Sequence, residues 1–131
     1  MSANTTSVAE SPQALREMLE QRVAFIVEQA RRQGATASEV GVSQNTGLSV
    51  SVRNREVETV EFNRDQGFAI TLYDGQRKGS VSTSDTSDEA IIKAVETALV
   101  IARHASEDPC AGLADAQLMA TDLPDLDLFH P

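Results

Sequence analysis

Apolar and polar residues alternate with a period of two through the stretch from Thr46 to Ser84. Leu48, Val50 and Val52 interleave with Ser49, Ser51 and Arg53, and Phe68, Ile70 and Leu72 with Ala69, Thr71 and Tyr73. That period sends one set of side chains to a core and the other to the opposite face of a sheet. Turn-forming residues punctuate the pattern at Asn45-Thr46-Gly47, Asn54-Arg55, Arg64-Asp65-Gln66-Gly67 and Asp74-Gly75, and each predicts a reversal or a break. The result is about five predicted strands, over 38–43, 48–53, 56–63, 68–73 and 78–84. In the third, Val57 is out of phase with Val60 and Phe62. A bulge near Glu58 or Thr59 brings all three to one face; without it, Val57 lies outside.

Helical spacing flanks the sheet on both sides. Ser11 caps and Pro12 opens a first helix, with Leu15, Met18, Leu19, Val23, Ile26 and Ala30 on one face. Arg31 and Arg32 suit its negative end, and Gly34 closes it. Thr86 and Glu89 form a capping box for a second helix, whose apolar face is Ile91, Val95, Ala98, Leu99 and Ala102. The predicted fold is α+β, a mainly antiparallel sheet of about five strands with two helices packed on one face. The predicted core is Leu15, Leu19, Val23, Ile26, Val40, Val42, Leu48, Val50, Val52, Val60, Phe62, Phe68, Ile70, Leu72, Val81, Ile91, Val95, Ala98 and Leu99.

The chain divides into a disordered lead over 1–10, one domain over 11–106, and an acidic, proline-containing linker over 107–131. The last segment holds six acids and no Lys or Arg, yet also Leu113, Leu118, Met119, Leu123, Leu126, Leu128 and Phe129. So many large apolar residues predict either packing along the domain or docking on something outside this chain.

Composition narrows the function. The 131 residues carry 20 acids against 11 Lys and Arg, a net charge of -9, which argues against nucleic acid or an anionic membrane as the main partner. A lone Cys110 has no internal disulfide partner and fits a reducing compartment. No apolar run reaches membrane-spanning length, and the start lacks the basic and apolar parts of a secretory signal. A cytoplasmic protein is expected.

Catalytic chemistry is sparse. His104 and His130 lack the spacing of a helical metal pair; His104 reads as a helix-end residue and His130 as part of the tail. Cys110 follows Asp108-Pro109 in acidic surroundings, which do not favour a thiolate, and reads as a small buried residue. Gly75 to Ser80 lacks the order of a phosphate loop and leads into a strand. Glu56, Glu58 and Glu61 read as a solvated strand face. Ser49, Ser51, Thr71, Ser80, Ser82 and Ser84 form a hydroxyl-rich set that reads equally as ordinary half-exposed sheet or as a contact surface for another domain or subunit. No catalytic, cofactor-binding or metal-binding residue is assigned in this chain.

Three strings carry a family resemblance: Arg53 to Asp65, Gly75 to Asp85, and Ser106 to Asp115. In this order and spacing they resemble the amino-terminal domain of the TldD/PmbA family of zinc metallopeptidase proteins, and its PmbA-like branch in particular. The resemblance runs from about Leu15 to Pro131. It implies a fragment of a much longer chain. It also implies a heterodimeric protease in which a TldD-like partner subunit carries zinc on a His-Glu-x-x-x-His motif while the PmbA-like subunit lacks it. Flexible peptides are the implied substrate, in peptide maturation or antitoxin degradation, and an older label for the family is modulator of DNA gyrase. Two other readings stay open: a stand-alone acidic interaction module, gyrase- or antitoxin-directed, and the front of a TldD-like catalytic subunit.

Overall fold

The computed structural model describes residues 12–128. Helix α1 spans Pro12–Arg32, strand β1 Ala37–Arg53, β2 Glu56–Asp74, β3 Arg77–Thr83 and helix α2 Asp88–His104. The strands form one antiparallel sheet in the order β1-β2-β3. The α+β class stands, but the sheet has three strands, not five. The predicted breaks at Asn45-Thr46-Gly47 and Arg64-Asp65-Gln66-Gly67 do not occur. These two groups lie across the ladder from each other, Asn45 opposite Asp65, Gly47 opposite Asn63 and Ser43 opposite Gly67. Neither Gly47 nor Gly67 takes a positive φ. Turn-forming residues permit a turn without imposing one, and continuous pairing on both sides keeps the backbone extended.

The true reversals are at Asn54-Arg55 and Gly75-Gln76. Asn54 and Arg55 sit at φ 53° and 68°, the two positive values of a type I′ hairpin turn. Arginine is strained there, because its Cβ crowds the following carbonyl. Arg55→Gly is therefore expected to stabilise the hairpin by about 0.5–1 kcal/mol, read as slower amide hydrogen exchange in the strands beside it. The predicted bulge is present: Ser51 faces Thr59 while Val52 faces Val57, leaving Glu58 as the extra residue. It rephases β2, so that Val57, Val60 and Phe62 share a face with Val52, Val50 and Leu48.

The helices cover only one end of this sheet. α2 packs on β2 and β3, and α1 packs on β1 and α2. Between helices and sheet lies a core of Ile26, Ala30, Phe68, Ile70, Leu72, Ile91, Ala94, Val95, Ala98 and Leu99, with Phe25, Val40, Val42 and Val81 packed against it. Ala102 and Tyr73 are also buried; the alternation had placed Tyr73 on the outer face. Leu15, Leu19 and Val23 are only half-buried. Gly79 marks the closest approach of α2 to the sheet, since a side chain there would strike the Ala98 carbonyl oxygen and the Ala102 amide.

The helix ends differ in detail from expectation. Gly34 closes α1 at φ +94°. Arg31 and Arg32 both pair with Glu28. The lead over 1–10 and the Ser11 cap lie outside the described residues, as do residues 129–131. The cap of α2 is Ser87 rather than Thr86. Its hydroxyl accepts from the Ala90 amide, because Asp85 first accepts from the Ser87 amide at 2.9 Å and sets the chain one residue later. The Ser87 amide, then the Ser87 hydroxyl, holds the Asp85 carboxyl below its ordinary range. A folded pKa below the unfolded one gives stability that is complete above the unfolded pKa and is lost as pH falls through the folded one. Asp85→Asn is expected to flatten that part of the acid destabilisation, in thermal melts taken from neutral to acid pH.

After α2 the chain is held at one place. Arg77 bonds Glu107 at 3.0 Å and the Arg103 carbonyl, and the Asp108 amide donates to the Gln76 carbonyl. Beyond this anchor a short turn at Ala116–Leu118 is capped by Asp115. Residues 112–119 run beside Glu39 of β1, with Leu113 and Met119 lining a shallow pocket there, but Leu113, Leu118, Met119, Leu123, Leu126 and Leu128 all remain exposed, so the tail adds nothing to the core. Phe129 lies outside the described residues.

Candidate functional site

The most distinctive feature is the far half of the β1–β2 hairpin. Past Gln44 and Gln66, which face each other, it continues without helices beneath it for nine residues of β1, roughly 30 Å. We term this part the arm. The face that carries the core in the body continues along it, as three rungs: Leu48 opposite Phe62, Val50 opposite Val60, and Val52 opposite Val57. All six side chains are 51–68% exposed. Leu48, Val50, Val52, Val60 and Phe62 are therefore not core residues, contrary to the sequence pattern. They have the right parity for the core face, but the helices end before reaching them. At the boundary, the Gln44 side-chain oxygen is shut off from solvent with no hydrogen-bond partner.

An exposed apolar patch of this size, rimmed by polar residues, marks an interaction surface. No charged side chain lies within the three rungs; Glu58, at the bulge, is drawn to Arg53 at 3.3 Å. Arg53, Glu56 and Glu61 follow the parity of Ser49 and Ser51 on the opposite face. The arm thus presents one apolar and one polar side, a surface suited to apolar side chains of a partner or of an extended peptide.

The other residues singled out in the sequence do not converge on a site. The hydroxyl-rich set splits in two. Thr71 and Ser80 bond each other across β2 and β3 at 2.9 Å, with Ser82 opposite Ala69 and Ser84 beyond the end of β3. Ser49 and Ser51 lie on the arm, about 33–40 Å along β1 from Glu39, which faces Thr71. His104 is exposed at the end of α2 with Nδ1 2.8 Å from the Val100 carbonyl, and His130 lies outside the described residues. Cys110 is exposed rather than buried. It sits in a turn in which its amide donates to the Asp108 carboxylate. Gly75 to Ser80 is a hairpin and the start of β3, with Gly75 at φ +62° and its amide donating to Thr36. Glu56, Glu58 and Glu61 are exposed. Among the described residues no three His, Cys, Asp or Glu side chains lie close enough together to hold a metal ion, and no helix is long and apolar enough to cross a membrane.

Comparison with known proteins places this architecture. The family model for PmbA/TldA metallopeptidase domain 1 matches residues 38–102, the whole sheet, the arm and most of α2. Metalloprotease PmbA of Escherichia coli O157:H7 is 52% identical over 119 residues, 91% of this chain and 26% of its own length. The chain belongs to the PmbA/TldD metallopeptidase family. A Metalloprotease PmbA homolog of Haemophilus influenzae is 54% identical over 112 residues, 86% of this chain and 25% of its own length. The chain thus spans about a quarter of the length of these PmbA relatives, as their amino-terminal domain. Two solved structures share the fold. A protein from Bacteroides thetaiotaomicron described as a modulator of DNA gyrase superposes at a TM-score of 0.75 over 83% of this chain and 25% of its own, at 19% identity. TldE from Thermococcus kodakarensis does so at 0.60 over 67% of this chain and 20% of its own, at 17% identity.

Proposed function

We propose that this chain is the amino-terminal domain of a non-catalytic, PmbA-like subunit of a TldD/PmbA-type zinc metalloprotease acting in the cytoplasm. Zinc and the hydrolytic residues belong to a TldD-like partner subunit. This domain helps to enclose the site and to guide flexible peptides toward it, for peptide maturation or antitoxin degradation. The observation that carries the reading is the arm: six exposed apolar side chains in three successive rungs with no charged residue among them, bordered on the same face by Arg64 opposite Thr46. A flexible peptide offers apolar side chains and free backbone groups, and such a face receives the first while leaving the second for hydrogen bonds elsewhere.

The test is to mix the chain with a TldD-like subunit, weigh the mixture by light scattering, and assay hydrolysis of an unstructured peptide. The expected result is a one-to-one complex whose hydrolysis is lost to a chelator, with none from this chain alone. Chelator-sensitive hydrolysis by this chain on its own would overturn the reading.

A further inference from the structure

The charges of the arm are sorted by face. Glu56, Glu61 and Asp65 follow the parity of Ser49 and Ser51, on the polar side. The apolar rungs instead lie between two arginines. Arg64, opposite Thr46, stands one rung inside Leu48 and Phe62 on their own face. Arg55 stands at the tip, beyond the last rung of Val52 and Val57. At the rise of an extended strand the two are roughly 25 Å apart.

Arg55 differs from most arginines of the chain in two respects. Seven of the nine pair with a carboxylate of the chain itself. Arg55 is exposed and pairs with none among the described residues, although the chain has 20 acids. It also holds φ 68°, a value that glycine takes freely and a side chain does not. Neither feature helps the fold, since glycine would occupy this position at lower energy. Strain of this kind persists where the side chain meets a ligand.

We infer that the arm takes an acidic, apolar peptide in extended form, and that the Arg55 guanidinium receives one of its carboxylates. Leucine-like side chains of the peptide lie on the three rungs. The guanidinium offers a planar pair of donors that matches a carboxylate. No acid stands on the rungs to repel it, and Glu58 at the bulge is drawn to Arg53. The net charge of -9 disfavours an acidic peptide over the chain as a whole, which leaves the arginine-bordered face as the surface that admits one. The inference rests on the reading of the arm as a peptide-handling surface and adds a preference to it.

The test is fluorescence anisotropy of two dye-labelled peptides with the chain. One is Ser- and Gly-rich with spaced Leu and Asp residues, and its twin has Asn in place of every Asp. The wild type is expected to bind the Asp peptide about fivefold tighter, the effect of one exposed ion pair of good geometry, and the preference is expected to fade with added salt. Arg55→Gly is expected to bind the two peptides alike. Because this variant relieves the strain at the tip, loss of the preference cannot come from a weakened fold. Phe62→Asp is expected to weaken the Asn peptide, which reports the apolar face alone. Equal binding of the two peptides by the wild type would overturn the inference, as would a preference that survives Arg55→Gly; in both cases the peptide-handling reading would stand. Binding of neither peptide would overturn both.

Discussion

Gly79→Ala is expected to destabilise the chain by on the order of 3 kcal/mol, near the upper end for overpacking, because the atoms in the way are backbone. A Cβ on Gly79 would fall on the Ala98 carbonyl oxygen and the Ala102 amide and lie 3.1 Å from the Ile101 Cβ. No rotamer change relieves a clash with helix backbone. The whole of α2 must lift from β3, loosening Ala94, Val95 and Ala98, which are buried against the sheet. Gly41→Ala is the control. Nothing lies within 4 Å of a Cβ there, and the expected change is below about 0.5 kcal/mol. Urea unfolding of both variants gives the comparison.

Two phenylalanines on β2 provide the second large effect, and they are six residues apart. Phe68 is 1% exposed inside the helix-covered core, so Phe68→Ala is expected to cost about 3–5 kcal/mol in lost burial and cavity. Phe62 lies on the same face of the same strand but is 68% exposed on the arm. Phe62→Ala is expected to change global stability by less than about 1 kcal/mol, because little surface returns to water. Equal losses from the two substitutions, measured by denaturant titration, would mean that the arm is covered in the isolated chain.

That contrast also shows how far the sequence could be read. Period-two alternation gives the parity of Leu48, Val50, Val52, Val60 and Phe62, and turn chemistry the Asn54-Arg55 tip; of the two readings left by the phase of Val57, a bulge near Glu58 or Thr59 or Val57 outside, the structure has the bulge, at Glu58. Alternation names a face, however, and cannot name what covers it. Strand length was the information lost when Asn45-Thr46-Gly47 and Arg64 to Gly67 were read as turns. Strands of 17 and 19 residues extend about 55–65 Å. α1, of 21 residues, and α2, of 17, reach only about 31 and 26 Å, and because they pack against each other they leave roughly half of the sheet's length uncovered. Tyr73 was missed for a related reason. It has the parity of the open face, yet it lies at the end of β2 where its carbonyl accepts from the Thr36 amide and hydroxyl, so the α1–β1 connection closes over that end. The absence of a candidate metal or catalytic residue in the sequence rested on histidine spacing and motif order. His104 stands on the last turn of α2 with Nδ1 2.8 Å from the Val100 carbonyl.

The arm is the surface on which the functional account depends. The decisive measurement is hydrolysis of a long, unstructured peptide by the proposed complex of a full-length PmbA-like subunit carrying this domain with a TldD-like subunit, with and without Phe62→Asp. The charge enters an exposed position, so the subunit is expected to fold and the complex to assemble as before. Hydrolysis is predicted to fall by roughly tenfold or more, the order of effect expected when about 1.4 kcal/mol of peptide contact is removed. An assembled complex that cleaves the peptide at the wild-type rate would contradict the account, and the apolar face would then have no part in handling peptides.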